Sequence, residues 1–524
     1  MPLTQGLHRA VQRHPDKLAL RHLGSDDRAH TYAQLAAEVA RHAAALRGRG
    51  VAEGDRVALL APNTDRLVIQ VLACWWLGAV ACPLNLRWSV PELAAALADA
   101  QPRLLIADDG QLAAAREAAA QAGANSPAPG DAPPVTVLRG ELLAVQSSHF
   151  TPVPDVRAGG DALAALLYTG GTTGRAKGVM LSHGNFWASA MSRGAELNNP
   201  PEGVSLLVAP LFHVAGLGRL IGQLIVGGTC LTLPQFRPEA ALAAIEWHRV
   251  TDIIVVPSML QMLMDHPSFD ATRLQSLNRI AFGAAPMPPD LLDRALAAWP
   301  RAEFFQAYGM TETAASVCIN PPANHRPEAR AAGLLSSVGR AGLGAEILVV
   351  DESGNELPRG EVGEIIVRGP MVMQGDWNQP EATEAALRDG WMHTGDAGRM
   401  DAQGWLWVVD RLKDMIITGG ENVYSVEVET VLRSHPAVAD AAVVGVPDER
   451  WGEAVQAVVV LKAGQRADEA ALLAHCRERL AGYKCPRGVL FTDLLPMSAA
   501  GKVSKATLRA AFAPTPGATG PSGA

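Results

Sequence analysis

The sequence predicts an α/β protein with a large N-terminal domain of βα-layered sheets and a small β-rich subdomain, followed by a small α+β C-terminal domain. Three observations predict it. Residues 27–120 and 204–308 alternate helical patterns with short apolar strands that stop at Gly or Pro, the rhythm of βα units on a mostly parallel sheet. Residues 344–419 change to short alternating strands with turn signals. After Arg411 the pattern becomes helix, strand, strand, helix. With 524 residues, the chain exceeds what one compact core organises.

In chain order, "TYAQLAAEVARHAAALRGRG" reads as a helix, and "DRVALLAP" and "RLLIADD" read as strands. Two apolar stretches resemble membrane spans. "LVIQVLACWWLGAVACPLNL" (67–86) is long enough to cross a bilayer, but Gly78 and Pro83 split it and Gln70 interrupts it, so a buried helix feeding a buried strand is expected. "SLLVAPLFHVAGLGRLIGQLIVGGTCLTL" (205–233) contains Pro210, His213, Arg219 and many glycines, so no span is expected there either. "GANSPAPGDAPPV" (123–135) reads as a surface connection. "VSLLVAP", "GTCLTLP", "VTDIIVVPS", "NRIAFGAAP" and "AEFFQAYG" form the second strand series. The expected boundaries are 1–410 and 411–512, with a disordered tail over 513–524.

The net charge of −8 gives no basic field for nucleic acid. The N-terminus lacks a signal peptide's apolar core. The six cysteines form no CxxC and no His cluster sits at zinc spacing, so reduced thiols, a cytoplasmic location and no structural metal are expected. The chain has seven lysines among 45 basic residues, so a lysine inside a motif is less often accidental than usual.

The segment "LLYTGGTTGRAKGVMLSHGN" (166–185) has an apolar strand directly ahead of a Gly/Thr run. Such loops turn backbone N–H groups toward one point, threonine hydroxyls add donors, and Lys177 adds a charge suited to polyphosphate. A flexible surface turn is the alternative. G-x-x-x-x-G-K-[ST] does not occur; "PMSAAGKVS" (496–504) has Pro496 in place of the first Gly and Val503 in place of the Mg²⁺-binding hydroxyl residue.

"YTGGTTGRAKGV" resembles the phosphate-binding signature Y-T-S-G-T-T-G-x-P-K-G of the adenylate-forming enzymes: acyl- and aryl-CoA ligases, luciferases and adenylation domains of peptide synthetases. Gly170 replaces the serine and Ala176 the proline, with loss of one hydroxyl and some stiffness. "LGAVACPLN" (77–85), "APLFHVAGL" (209–217), "FGAAPMP" (282–288), "QAYGMTET" (306–313), "GWMHTGDAG" (390–398), "DRLKDMIITGGENVYSVEVE" (410–429) and "PMSAAGKVSKATLR" (496–509) follow in the family's order. The likeness spans roughly residues 5–512 and is strongest toward bacterial fatty-acyl and hydroxycinnamoyl ligases.

The resemblance implies an acid–thiol ligase using ATP, Mg²⁺ and coenzyme A. It implies that Thr169, Gly170, Gly171, Thr172, Thr173, Gly174 and Lys177 hold phosphates. Thr311 would contact the α-phosphate, and Glu312, with Thr169, would hold Mg²⁺, a hard cation that takes oxygen ligands. Tyr308 and Gly309 would meet adenine beside Gly283, Ala284 and Ala285. Asp396 would accept from the ribose hydroxyls, with Arg411 alongside. Lys502 would be the catalytic lysine of adenylation. Taken singly, Asp396 reads equally as a turn residue, Glu312 as a solvated helix-end carboxylate and Lys502 as a solvated loop cation.

His213 is implied to border the acyl pocket; alone it reads as a core histidine beside Phe212. A neutral or weakly cationic side chain there disfavours an amino-acid substrate. Lys413 would be the hinge about which the small domain moves, bringing Gly419 and Gly420 to the pantetheine path. Trp451 reads as a border of that path or as simple packing. "HPSFD" (266–270) spells the HxxxD of some acyltransferases but sits in a polar turn without a second motif.

The expected partners are a hydrophobic carboxylic acid, fatty or aryl, and coenzyme A, with no nucleic acid and no membrane span; a homodimer is compatible with the sequence. Two other readings are an adenylating enzyme that serves a carrier protein, and a nucleotide-binding homologue impaired by Gly170 and Ala176.

Overall fold

The computed structural model describes residues 1–124, 135–169, 176–197, 200–283, 287–330, 332–419, 421–448, 450–497 and 503–512. The connection expected over 123–135 and the tail over 513–524 therefore lie largely or wholly outside the described residues. The chain is α/β and divides into two units: Met1–Ile347 with Val367–His393 and Gly404–Leu406, and Leu348–Ile366 with Thr394–Gln403 and Trp407–Ala524.

The larger unit is built on two mostly parallel sheets. One has seven strands in the order Gly375–Asp376, Lys177–Ser182, Leu163–Thr169, Val80–Pro83, Arg56–Leu60, Leu104–Ala107, Thr136–Arg139. The other has nine, in the order Arg340–Ala341, Cys318–Asn320, Glu303–Tyr308, Arg279–Gly283, Asp252–Val255, Val204–Leu207, Thr229–Thr232, Leu18–His22, Arg28–Thr31. The interior strands pair in parallel and read as unbroken apolar runs because helices cover both faces. Leu18–His22 was not legible as a strand. It holds charged Arg21, and its parallel partner Thr229–Thr232 lies more than two hundred residues away.

Helix starts follow local chemistry. Thr31 and Gln34 form a reciprocal cap on Tyr32–Arg47: Gln34 N donates to Thr31 Oγ1 at 3.2 Å and Thr31 N to Gln34 Oε1 at 2.8 Å. Ser89 and Glu92 do the same for Val90–Ala100. The stretch 67–86 forms a buried helix, Asp65–Trp76, and a buried strand, Val80–Pro83, joined through Gly78 at φ +70°. Trp75 Nε1 donates to Ala164 O at 2.9 Å and Trp76 Nε1 to Val153 O at 2.8 Å, so both indoles bury their area without orphaning a donor. No helix among the described residues is long and apolar enough to cross a membrane. All six cysteines are buried and unpaired. Burial pushes the Cys82 and Cys230 thiols up to about 12, which keeps them protonated and inert.

In the second unit Val438–Asp448 and Gly452–Leu461 form a long antiparallel pair, and the other edge of Gly452–Leu461 takes Gly488–Phe491 in parallel and Ile416–Thr418 antiparallel at its start. Helices Ser425–Arg433 and Glu469–Arg477 close the core of Val428, Leu432, Val443, Val455 and Leu472. This is the helix–strand–strand–helix order read from the sequence. The β-rich stretch forms a sheet in the order Glu346–Val350, Val362–Arg368, Trp391–Met400, Leu387–Arg388, with Leu406–Arg411 on Trp391–Met400.

Two fully buried histidines of the larger unit set a pH limit. His183 Nδ1 accepts from Leu3 N at 3.2 Å, and burial holds the ring down to about 4. His325 Nδ1 donates to Pro321 O at 3.0 Å and is held down to about 4 by the same cause. Both values lie below the ordinary 6.5, so the unfolded chain binds the proton first as pH falls. Their contribution is complete above about pH 6.5 and is lost toward pH 4, by up to about 3 kcal/mol each. The thermal midpoint of this unit is expected to fall over that window, and His183→Asn is expected to flatten the slope; an unchanged slope would refute the assignment.

Candidate active site

The Gly/Thr run is the connection of a β-hairpin. Leu163–Thr169 pairs antiparallel with Lys177–Ser182, and Thr169 and Lys177 are its last opposed residues. Gly170, Gly171, Thr172, Thr173 and Gly174 lie outside the described residues, but the pair fixes where the run leaves and re-enters the sheet. Lys177 Nζ lies 3.4 Å from Asp376 Oδ2, and Asp376 is almost fully buried while Lys177 keeps part of its surface. Asp376 sits on the short strand Gly375–Asp376, which pairs with Val179 and Met180. Sequence reading missed this partner because 199 residues separate the two charges.

The base of the hairpin is packed from behind. Tyr168 Oη donates to Asp99 Oδ2 at 2.7 Å, and Trp377 Nε1 donates to Asp99 O at 3.1 Å. Burial raises the Asp99 carboxyl, and the Tyr168 hydrogen bond opposes it. Gly178, opposite Tyr168, has no room for a side chain: a Cβ there would stand 3.1 Å from the Tyr168 ring and 3.3 Å from Trp377 Cβ.

The second group comes from "QAYGMTETAAS". Tyr308 ends the strand Glu303–Tyr308, whose Ala307 is the register partner of Gly283. A Cβ on Gly283 would lie 2.8 Å from Ala307 O, and one on Gly309 would lie 2.4 Å from Ala315 O. Both glycines are therefore demanded by close backbone approach. Thr311–Thr313 forms a 3₁₀ turn, capped by Met310 N donating to Thr313 Oγ1 at 3.0 Å. Ala314 and Ala315 then adopt φ +49° and +107°, two successive non-glycine residues in left-handed or sparsely allowed conformations. Glu312 O accepts from Met373 N at 2.8 Å, and Gln374 N donates to Met180 O at 3.0 Å. Residues 373–376 thus run between the two groups, and the Lys177–Ser182 strand lies against the Thr311–Thr313 turn. Residues 373–376 therefore join the hairpin that Thr169 and Lys177 close to the turn that holds Thr311 and Glu312. Ala284 and Ala285 lie outside the described residues.

His213 caps the helix Val214–Val226 with its backbone, and its ring lies 4.7 Å from that of Phe212. In the second unit Asp396 is buried and receives Arg411 Nε at 2.7 Å. Its turn is set by Gly395 at φ +67°, by Gly395 N donating to Glu364 Oε1, and by Thr394 Oγ1 donating to Ile365 O. Gly419 has φ +61°, and a Cβ there would meet the Trp451 ring at 2.9 Å. Arg450 and Arg487 lie over the same indole, 4.8 and 5.1 Å from its centroid. Gly420 and Lys502 lie outside the described residues.

Two substitutions probe the strained turn. Gly309→Ala is expected to destabilise the larger unit by about 1–3 kcal/mol through overpacking. Ala315→Gly is expected to stabilise it by about 1 kcal/mol by removing the positive-φ strain. Chemical denaturation reads both, and changes of equal sign would sink the account.

The chain is similar to known proteins along nearly its whole length. Residues 7–377 match the AMP-binding enzyme family, and residues 427–502 match the AMP-binding enzyme C-terminal domain. A feruloyl-CoA synthase from Amycolatopsis sp is 43% identical over 96% of this chain and 98% of that protein. The crystal structure of ATP-bound MatB from Rhodopseudomonas palustris superposes with a TM-score of 0.87 at 33% identity, over 98% of this chain and 99% of that one. The o-succinylbenzoate coenzyme A synthetase MenE from Bacillus subtilis, in complex with ATP and magnesium ion, gives a TM-score of 0.83 at 33% identity, over 96% and 99%. With the loop and the "YGMTET" turn falling in order within residues 7–377, the chain belongs to the AMP-binding enzyme family.

Proposed function

We propose that the chain is an AMP-forming acid–coenzyme A ligase acting on a carboxylic acid with an apolar body. The observation that carries the reading is the joining, through residues 373–376, of the hairpin that Thr169 and Lys177 close to the turn that holds Thr311 and Glu312. Hydroxyls, one cation and one carboxylate make a donor set for a nucleoside triphosphate and its counter-ion. Among the described residues no group of three His, Cys, Asp or Glu could hold a metal by itself. Mg²⁺ on Glu312 and Thr169 would thus be completed by phosphate oxygens, and would neutralise charge on the leaving pyrophosphate.

A carboxylate is a poor acyl donor because its oxide is a poor leaving group. In the first half-reaction the acid's oxygen attacks the α-phosphorus, the bond to the β-phosphate oxygen breaks, and pyrophosphate leaves. In the second, the coenzyme A sulfur attacks the acyl carbon, AMP leaves, and the thiol proton passes to solvent. The protein's task is to align anions and spread charge. Thr169 and Lys177 hold phosphate oxygens. Thr311 faces the α-phosphate. Tyr308 and Gly283 flank the base. Asp396 accepts from the ribose hydroxyls, with Arg411 beside it. Lys502 supplies the cation of adenylation, Lys413 is the pivot of the small domain, and Gly419 borders the pantetheine path. Apolar Leu217, Ile221 and Met259 belong to the segments that would line the acyl pocket, with His213 at its mouth.

AMP and pyrophosphate are expected in equal amounts only with ATP, Mg²⁺, acid and coenzyme A together; ADP and phosphate would refute the reading. Lys502→Ala is expected to slow adenylation by about 10²–10³-fold while leaving thioester formation from supplied acyl-adenylate largely intact. Equal damage to both half-reactions would remove Lys502 from its role. Asp396→Ala is expected to raise the KM for ATP by about tenfold, from the loss of hydrogen bonds to a charged acceptor; an unchanged KM would remove Asp396 from the ribose site.

A further inference from the structure

The helix His183–Leu197 carries an arginine that the reaction does not use. Arg193 lies against the helix Val214–Val226, on the face made by Gly218 and Gly222. Its Nη2 donates to Gly218 O at 2.8 Å. A Cβ on Gly218 would stand 3.2 Å from Arg193 Nη1, and one on Gly222 would stand 3.6 Å from Nη2. The same Gly218 Cβ would lie 3.4 Å from Ala315 Cβ, so the guanidinium and the strained turn that follows Glu312 border the same glycine. His213 opens the helix that Arg193 covers. The half-buried cation therefore lies beside a segment assigned above to the acyl pocket.

Arg193 has no carboxylate within 4 Å among the described residues, unlike Arg219 on the neighbouring helix, which pairs with Asp252. Two nearby side chains are also short of partners. Ser189 lies one turn before Arg193 on the same helix face, and Ser316 follows Ala315. Both are buried, at 0% and 3% exposure, and their hydroxyls have no partner among the described residues. A guanidinium carries five donors, and one is used here. Burial and the charge of Arg219 lower the Arg193 guanidinium to about 10, which leaves it cationic at neutral pH. A half-buried cation with most of its donors unused, beside two buried orphan hydroxyls, is a costly arrangement without an oxygen partner.

We propose that Arg193, with Ser189 and Ser316, is a specificity site that receives an oxygen acceptor at the far end of the acid, so that the preferred substrates are apolar acids bearing a second oxygen group rather than plain hydrocarbon acids. This rests on the ligase reading above. A bidentate oxygen group uses the unused donors of the guanidinium and gives the two hydroxyls the partner they lack.

The experiment is pyrophosphate release by the full chain across two matched ladders: 3-arylpropenoates with 4-methyl, 4-methoxy, 4-hydroxy or 4-carboxy groups, and C6–C12 alkanoates against their ω-carboxy counterparts. In at least one ladder the oxygen-bearing acid is expected to exceed its methyl counterpart by tenfold or more in kcat/KM. Arg193→Met is expected to invert that ratio, lowering the oxygen-bearing acid and sparing or raising the methyl one, while Arg193→Lys keeps part of the preference. Should Arg193→Met fail to fold, Gly218→Ala, which crowds the guanidinium, is expected to lower the oxygen-bearing acid selectively. Equal efficiency of both acid types in the unsubstituted protein, or equal loss of both in the variants, overturns the specificity site and leaves the ligase reading standing. Absence of pyrophosphate release with every acid overturns both.

Discussion

The antiparallel pairing of Leu163–Thr169 with Lys177–Ser182 is the constraint on which the candidate site depends. A glycine-rich run has many conformations and gains nothing from packing its own side chains. Only a rigid stem can make its two ends meet at a defined point. Here the stem is a six-pair ladder closed by Thr169 and Lys177, with Tyr168, Gly178 and Trp377 interlocked beneath it. Asp376 then holds the Lys177 amine at the mouth of the hairpin. A buried carboxylate beside a partly exposed amine keeps that amine oriented.

The second half of the candidate site is held by strain rather than by a ladder. Gly309 passes so close to Ala315 O and Ser316 Cα that no side chain fits, and the chain reverses through two alanines at positive φ. Such backbone costs of order 1–3 kcal/mol per residue and persists only where the surroundings over-determine it. The surroundings here are the Met310–Thr313 cap and the bond from Met373 N to Glu312 O. The gain is placement: Thr311 and Glu312 are presented on a turn that cannot relax away.

In the second unit the segment Asp410–Asp414 is bound into a polar network. Asp410 accepts from Arg411 N and from the Ser425 backbone and hydroxyl; Ser425 in turn meets Lys505, which pairs with Glu429 at 2.8 Å. Arg509 on the last helix pairs with Asp414 at 2.8 Å. These bonds tie the helix that follows Lys502 to the residues flanking Lys413. A motion about Lys413 would therefore carry the last helix with it as one body. Of the buried acids in this unit, Asp396 and Glu429 meet cations, and Asp410 is held by two backbone N–H groups and a hydroxyl.

Much of this was legible in the sequence. Helical and alternating periodicities are local, so strands such as Asp252–Val255 and helices such as Ser425–Arg433 follow from runs of a few residues. The motifs are local as well: "YTGGTTGRAKGV", "YGMTET" and "HTGDAG" name their chemistry by residue type and spacing, and Gly283, Gly309 and Gly419 stand where close approach excludes a side chain. What tertiary structure alone decided is which distant groups meet. Asp376 reaches Lys177 across 199 positions, Asp99 reaches Tyr168 across 69, and Arg193 lies on the glycine face of another helix. Those meetings depend on strand order and register. These are set by the packing of whole layers, and no short window of sequence encodes them.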